Sequence, residues 1–148
     1  MKDIYVVNCC RTAIGSFGGS LKDVPAAKLG SIVVAEALKR ANVKPEQVDE
    51  VMFGSILTAA AGQNMARQVS LGAGIPVEVP AYTVSMVCGS GMKSVIEGAR
   101  TILAGDADII VAGGTEKMCI RDRYFTFLQF YVFIFVLILQ IFPASSFI

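Results

Sequence analysis

The stretch YTVSMVCGSGMKSVIEGARTILAGDADIIVAGG, Tyr82–Gly114, decides the fold. Tyr82–Val87 is a run of branched, aromatic and apolar residues that leads straight into Cys88-Gly89-Ser90-Gly91, small residues of the kind that turn a chain. Met92, Val95, Ile96, Ala99, Ile102 and Leu103 then recur at helical spacing, and Gly105 stands where a left-handed residue ends a helix. From Asp108 to Ala112 the chain reads as an apolar strand closed by Gly113-Gly114. Strand, helix, strand, with the strands apolar throughout, is the pattern of parallel strands buried beneath helices on their faces.

The same alternation continues toward the N-terminus. Ile4–Val7 predicts a strand, and Arg11–Ser20, with Gly15, Gly18 and Gly19, predicts a loop. Between Pro25 and Ala41, Leu29, Ile32, Val33, Ala37 and Leu38 form a helical stripe, with Asn42 at its stop and Pro45 beyond. Val51–Phe53 predicts a strand ending at Gly54, Asn64–Gly72 a helix, and Pro76 and Pro80 an extended connector before Tyr82. The expected class is α/β, a mainly parallel sheet covered by helices.

Of the 148 residues 54% are hydrophobic and 17% charged, which excludes a disordered chain. Thirteen Lys and Arg against 12 Asp and Glu leave a net charge of +1, so no broad basic field is available for nucleic acid. There is no His, which removes the commonest general base and metal ligand from any mechanism run by this chain alone. The cysteines at 9, 10, 88 and 119 fit no zinc spacing, so no metal site is expected, and Met-Lys-Asp-Ile opens the chain without an apolar signal core. These features predict a reducing cytoplasmic compartment, with Cys9 and Cys10 packed inertly at the end of a buried strand.

Cys88 is the residue on which chemistry is expected. A thiol at a helix N-terminus feels the partial positive charge of unpaired N–H groups, which favours the nucleophilic thiolate, and the same groups can hold an oxyanion. Gly89 and Gly91 would let a substrate carbonyl approach the backbone. A packed thiol in a tight turn accounts for the local pattern equally well. A dinucleotide fingerprint is weak here because Ser94 stands at its third small position, and a P-loop fails because Met92 precedes Lys93-Ser94. Lys93 is then expected to be a solvated helix residue.

Five segments in order carry a resemblance: Arg11–Gly15, Gly62–Gln68 (GQNMARQ), Pro76–Pro80 (PVEVP), Val87–Met92 (VCGSGM), and Gly105–Asp108 through Gly113–Glu116. Over residues 1 to 116 the chain resembles the thiolase family, and within it the bacterial acetyl-transferring members. The resemblance implies the N-terminal half of a layered α/β fold, with Cys88 taking the acyl group from an acyl-CoA and its own N–H helping to hold the thioester oxyanion. The acyl group is then condensed with the carbanion of a second acetyl-CoA, or the reverse thiolysis is run. Gln63, Asn64 and Arg67 correspond to a loop and helix start near the active site and subunit contact, with simple helix capping an equal alternative for each. Ser85 stands where many relatives carry Asn and is expected to touch the pocket floor, and Glu116 is expected to support the pocket. Coenzyme A thioesters are the implied substrates, with no cofactor, and the parent is implied to be a homodimer or homotetramer.

The family also uses His residues and a second Cys from a C-terminal half, so a chain without His is expected to be catalytically incomplete. Two other functions were weighed, a membrane-tethered noncatalytic acyl-CoA-binding fragment and a Cys-dependent condensing enzyme for carrier-bound acyl chains.

Residue 116 is a compositional boundary. Residues 1 to 116 carry 10 basic and 11 acidic side chains, whereas residues 124 to 148 carry no charge and seven of the nine Phe. Between them, Lys117–Arg123 back-translates as AAG ATG TGT ATA AGA GAC AGR, which contains AGATGTGTATAAGAGACAG, a transposon end attached to DNA fragments in library preparation. The expected organisation is a partial thiolase N-terminal domain over 1–116, an adapter-derived junction over 117–123, and a foreign tail over 124–148. If genuine, Tyr124–Phe142 would be an apolar helix long enough to approach the span of a bilayer core, giving the chain a membrane partner.

Overall fold

The structure is a computed structural model that describes residues 3–16, 18–117 and 136–140. Its elements are β1 (Tyr5–Cys10), α1 (Ala26–Ala41), β2 (Glu50–Gly54), α2 (Met65–Gly72), β3 (Ala81–Val84), α3 (Ser90–Ala104), β4 (Ile109–Gly114) and β5 (Val136–Gln140), with a 3₁₀ turn at Pro45–Gln47. They build one sheet in the order β1-β5-β4-β2-β3. β2 pairs in parallel with both β3 and β4, and β5 is antiparallel to β4 and β1, so four of the five strands run the same way.

Helix limits follow from local chemistry. Pro25 precedes α1 with its fixed φ, and Asn42 ends it at φ 54° with its N–H donated back to the Leu38 and Lys39 carbonyls. Gly105 ends α3 in the same left-handed way at φ 89°. The period of two along the strands sorts side chains between layers. Val51, Phe53 and Val111 share a core with Leu29, Val33, Val34, Ala37 and Leu38 of α1 and Met65, Ala66 and Val69 of α2. Met52, Ile110 and Ala112 meet Ile102, Ala107, Val95 and Ala99 on the α3 side. Helices therefore cover both faces of a mainly parallel sheet, as the alternation predicts. Asp49 adds a bracket by accepting 2.8 Å hydrogen bonds from the N–H groups of Asp108 and Ile109, which starts β4 beside β2.

Four expectations are corrected. The strand expected over Tyr82–Val87 ends at Val84, so a turn of five residues separates β3 from α3. Cys9 is exposed and Cys10 only partly buried, because β1 lies at the sheet edge, where period and composition look the same as in a central strand. The buried stripe of α3 is Ser90, Ser94, Gly98 and Ile102, while Met92, Ile96 and Leu103 are exposed. The cause is the close approach of backbones: a Cβ on Gly54 would collide with the main chain at Ser90 and Gly91, and one on Gly114 would lie 3.1 Å from Gly91 Cα. Only small residues fit that seam, so the larger apolar ones turn outward. Finally, the apolar helix that a genuine tail would form over Tyr124–Phe142 is replaced at Val136–Gln140 by a strand. The junction at 118–123 and the rest of the tail lie outside the described residues.

Candidate active site

The turn Ser85–Gly89 follows β3 where the C-terminal ends of three parallel strands meet. Gly54 of β2 stands opposite Val84 and Gly114, and the chain continues this pairing with Ser55 N–H to Val84 O (3.1 Å) and Thr115 N–H to Gly54 O (3.0 Å). Such an edge is where parallel α/β sheets place their ligands.

Within the turn, Val87 adopts φ 47°, an unfavourable conformation for a β-branched residue that costs about 1–3 kcal/mol and persists only when neighbours enforce it. Ser90 supplies the enforcement. Its buried hydroxyl accepts from Met86 N–H at 2.8 Å and donates to Val87 O at 2.7 Å. Gly89 N–H to Met86 O (3.0 Å) and Ser90 N–H to Val87 O (3.2 Å) complete the bracket. The strained turn leaves Cys88 exposed as a free thiol, one residue before the Gly89 cap of α3. Ser90 was not singled out in the sequence, because a serine between two glycines reads as a turn former, and its contacts depend on the turn's closure.

The other expected site residues divide. A Cβ on Gly89 would press on the Met86 side chain, whereas one on Gly91 would meet the Gly113 and Gly114 backbone at 3.8–3.9 Å, ordinary contact distances. Ser85 is exposed at the start of the turn. Glu116 reaches back from the end of β4, its carboxylate accepting from Ile56 N–H (2.8 Å) and Leu57 N–H (3.0 Å), which fixes the loop after β2. Asn64, at φ 47°, caps α2 by accepting from Arg67 N–H (3.2 Å); it also donates to Ala81 O (2.9 Å) and accepts from Thr83 Oγ1 (3.0 Å). Arg67 donates to Val77 O (3.1 Å) and Val79 O (2.8 Å), clamping the proline connector. Gln63 is exposed, and its carbonyl accepts from Gln68 Nε2 at 3.0 Å. Asn64 and Arg67 are thus tied to the β3 approach, while Cys88 lies in the turn and Ser90, at the start of α3, braces it.

Lys93 is ion-paired with Glu97, which Arg100 also meets at 2.8 Å; hydrogen bonding from Lys93 holds the Glu97 carboxyl below its usual range. A cavity of about 610 Å³ lies apart from Cys88, between the start of α1 and the loop after β2, lined by Ala26, Leu57, Ala60, Met65, Gln68 and Lys117 among others. Among the described residues no group of three or more His, Cys, Asp or Glu could hold a metal ion, and no helix is long and apolar enough to cross a membrane.

An exposed cysteine on a strained turn between a parallel strand and a helix defines an α/β domain with a candidate reactive thiol, and comparison with known proteins gives that domain its kin. Residues 4–127 match the family described as "Thiolase, N-terminal domain", and the chain belongs to the thiolase family. It is 57% identical over 117 residues to the acetyl-CoA acetyltransferase of Syntrophomonas wolfei, covering 79% of this chain and 30% of that protein. With the acetyl-CoA acetyltransferase of Cupriavidus necator it shares 56% over 118 residues, 80% of this chain and 30% of the relative. With the cytosolic acetyl-CoA acetyltransferase of Rattus norvegicus it shares 53% over 115 residues, 78% and 29% respectively. The chain therefore spans under a third of the length of the curated relatives it matches.

Proposed function

We propose that the parent protein is an acyl-CoA C-acetyltransferase that condenses two acetyl-CoA into acetoacetyl-CoA and CoA, or runs the reverse thiolysis, through an acyl-cysteine at Cys88. The observation that carries this reading is the exposed Cys88 thiol at the strained β3–α3 turn, at the C-terminal edge of the parallel strands. Cys88 Sγ attacks the thioester carbonyl, CoA leaves as thiolate, and the acyl group rests on sulfur. The carbanion of a second acetyl-CoA then attacks that carbonyl and returns the thiolate. The Cys88 N–H and the start of α3 favour the negative oxygen that forms in each step. Ser90 positions the nucleophile by closing its turn, and Glu116 holds the neighbouring loop. Gln63, Asn64, Arg67 and Ser85 belong to the pocket rim or subunit contact of the assembled parent, a cytoplasmic homodimer or homotetramer that works on CoA thioesters without a cofactor.

The 148 residues contain no His, so a His base for Cys88 or for the second substrate is not supplied by this chain. Fusing residues 1–116 to the remaining C-terminal portion of the Syntrophomonas wolfei relative should restore acetoacetyl-CoA thiolysis, and Cys88→Ala in the fusion should remove it by at least about a thousandfold. A folded fusion with full activity after Cys88→Ala would refute the assignment. For the organisation of the chain, the reading of 1–116 as domain, 117–123 as adapter-derived junction and 124–148 as foreign tail draws support from the charge boundary and the seven back-translated codons. Sequencing the locus from untagmented DNA tests it: native sequence continuing past codon 116 without the adapter is expected, and the Lys117–Arg123 codons between native flanks would sink it.

A further inference from the structure

We infer that Met86 is a positioning residue for Cys88, its thioether methyl filling the hollow left by the missing side chain of Gly89 and clamping the turn that carries the thiol, a role that rests on the reading of Cys88 as nucleophile. Gly89 stands at φ −89° and ψ 0°, a conformation open to residues other than glycine, so its backbone does not require one. Its surroundings do. A Cβ on Gly89 would lie 2.5 Å from Met86 Cε, and its only other contact among the described residues, chain neighbours aside, would be Met86 O at an ordinary 3.4 Å. The smallness of Gly89 therefore serves the Met86 side chain alone.

Met86 thus meets the turn at three points. Its N–H donates to Ser90 Oγ at 2.8 Å, its carbonyl accepts from Gly89 N–H at 3.0 Å, and its side chain lies over Gly89. Cys88 sits inside this closure, between Gly89 and the left-handed Val87. The hydrogen bonds fix where the main chain enters and leaves the turn, and the methyl contact fixes how closely Gly89 approaches; a flexible thioether suits an irregular gap of this kind. Val87 supplies the need for a clamp, since a strained residue relaxes when its surroundings loosen. Relaxation carries Cys88 away from the start of α3, whose N–H groups favour a negative sulfur. Because Cys88 is already exposed, removing Met86 adds little access, and the lost alignment dominates.

Iodoacetamide labelling of the full 148-residue chain at neutral pH, read at each cysteine by peptide mass spectrometry, tests this without any acyl transfer, so failure of the clamp is distinct from failure of the acyl-cysteine reading. Met86→Ala empties the hollow and should slow labelling of Cys88 at least about threefold. Gly89→Ala should slow it by a similar factor, because the added methyl displaces the flexible end of Met86 while meeting no other part of the fold closely. In Met86→Ala/Gly89→Ala the alanine methyl takes the vacated space, and labelling of Cys88 should return to within about twofold of the parent. Cys9 and Cys10, on β1, should label at the parent's rates in all three variants. Unchanged Cys88 labelling in either single variant, a double variant as slow as the slower single one, or parallel changes at Cys9 and Cys10 would each overturn the inference.

Discussion

Gly54 and Gly91 face each other across the seam between sheet and helix, yet they differ in what they permit. A methyl on Gly54 has only backbone to meet, at Ser90 and Gly91, and neither can yield without moving α3; a methyl on Gly91 finds ordinary contact distances of 3.8–3.9 Å. Gly54→Ala should therefore destabilise by about 3 kcal/mol, the upper end for overpacking, and Gly91→Ala by about 1 kcal/mol or less, read from urea midpoints of the two variants. Equal losses would show that the seam is looser than described. This scale also holds what the sequence concealed. Cys88 was legible because small residues and a helix pattern surround it. The strain at Val87 and the brace from Ser90 arise only when the turn closes, and the exposure of Cys9 depends on which strand falls at the edge.

The helices were the most legible elements, since Pro25, Asn42 and Gly105 mark their ends by conformational constraint. β3 was overextended by three residues because Ser85, Met86 and Val87 are as compatible with a strand as Thr83 and Val84. Along the α3 face of the sheet, the Glu50 carboxyl sits above its usual value of 4.5 because burial, and then the charge of Asp106, disfavours ionisation. The folded state therefore holds this proton to higher pH than the unfolded chain does. The associated stability is intact below about 4.5 and is lost as pH rises through the higher folded value. Glu50→Gln should raise the melting temperature at pH 7 relative to the parent, with the difference shrinking toward pH 4. Glu97 has the opposite sign: held low by Lys93 and Arg100, it stabilises above 4.5 and loses that effect as pH falls. A Glu50→Gln variant less stable at pH 7 than at pH 4, relative to the parent, would contradict the assignment.

At the scale of the molecule, the fold class was legible from alternation alone, but the place of β5 between β1 and β4 was not, because Val136–Gln140 lies in a tail that reads as foreign or as an apolar helix. The outer face of α3 and the turn before it expose Val87 at 69%, Met92 at 71% and Leu103 at 49%, apolar side chains that association would cover. The 148-residue chain should therefore associate, eluting from gel filtration as oligomer or aggregate; a monodisperse monomer without detergent would contradict that expectation. The account rests most heavily on Cys88. Because Cys9 is also an exposed free thiol, acyl transfer separates the nucleophile from the other thiols more directly than alkylation does. The decisive measurement is peptide mass spectrometry of the acid-quenched fusion of residues 1–116 with the missing C-terminal portion after brief exposure to acetyl-CoA. An acetyl group on the peptide carrying Cys88, absent after Cys88→Ser and absent from Cys9 and Cys10, is the predicted result; a folded fusion that condenses acetyl-CoA with Cys88 unacetylated, or with the acetyl group on Cys9 or Cys10 instead, would contradict it.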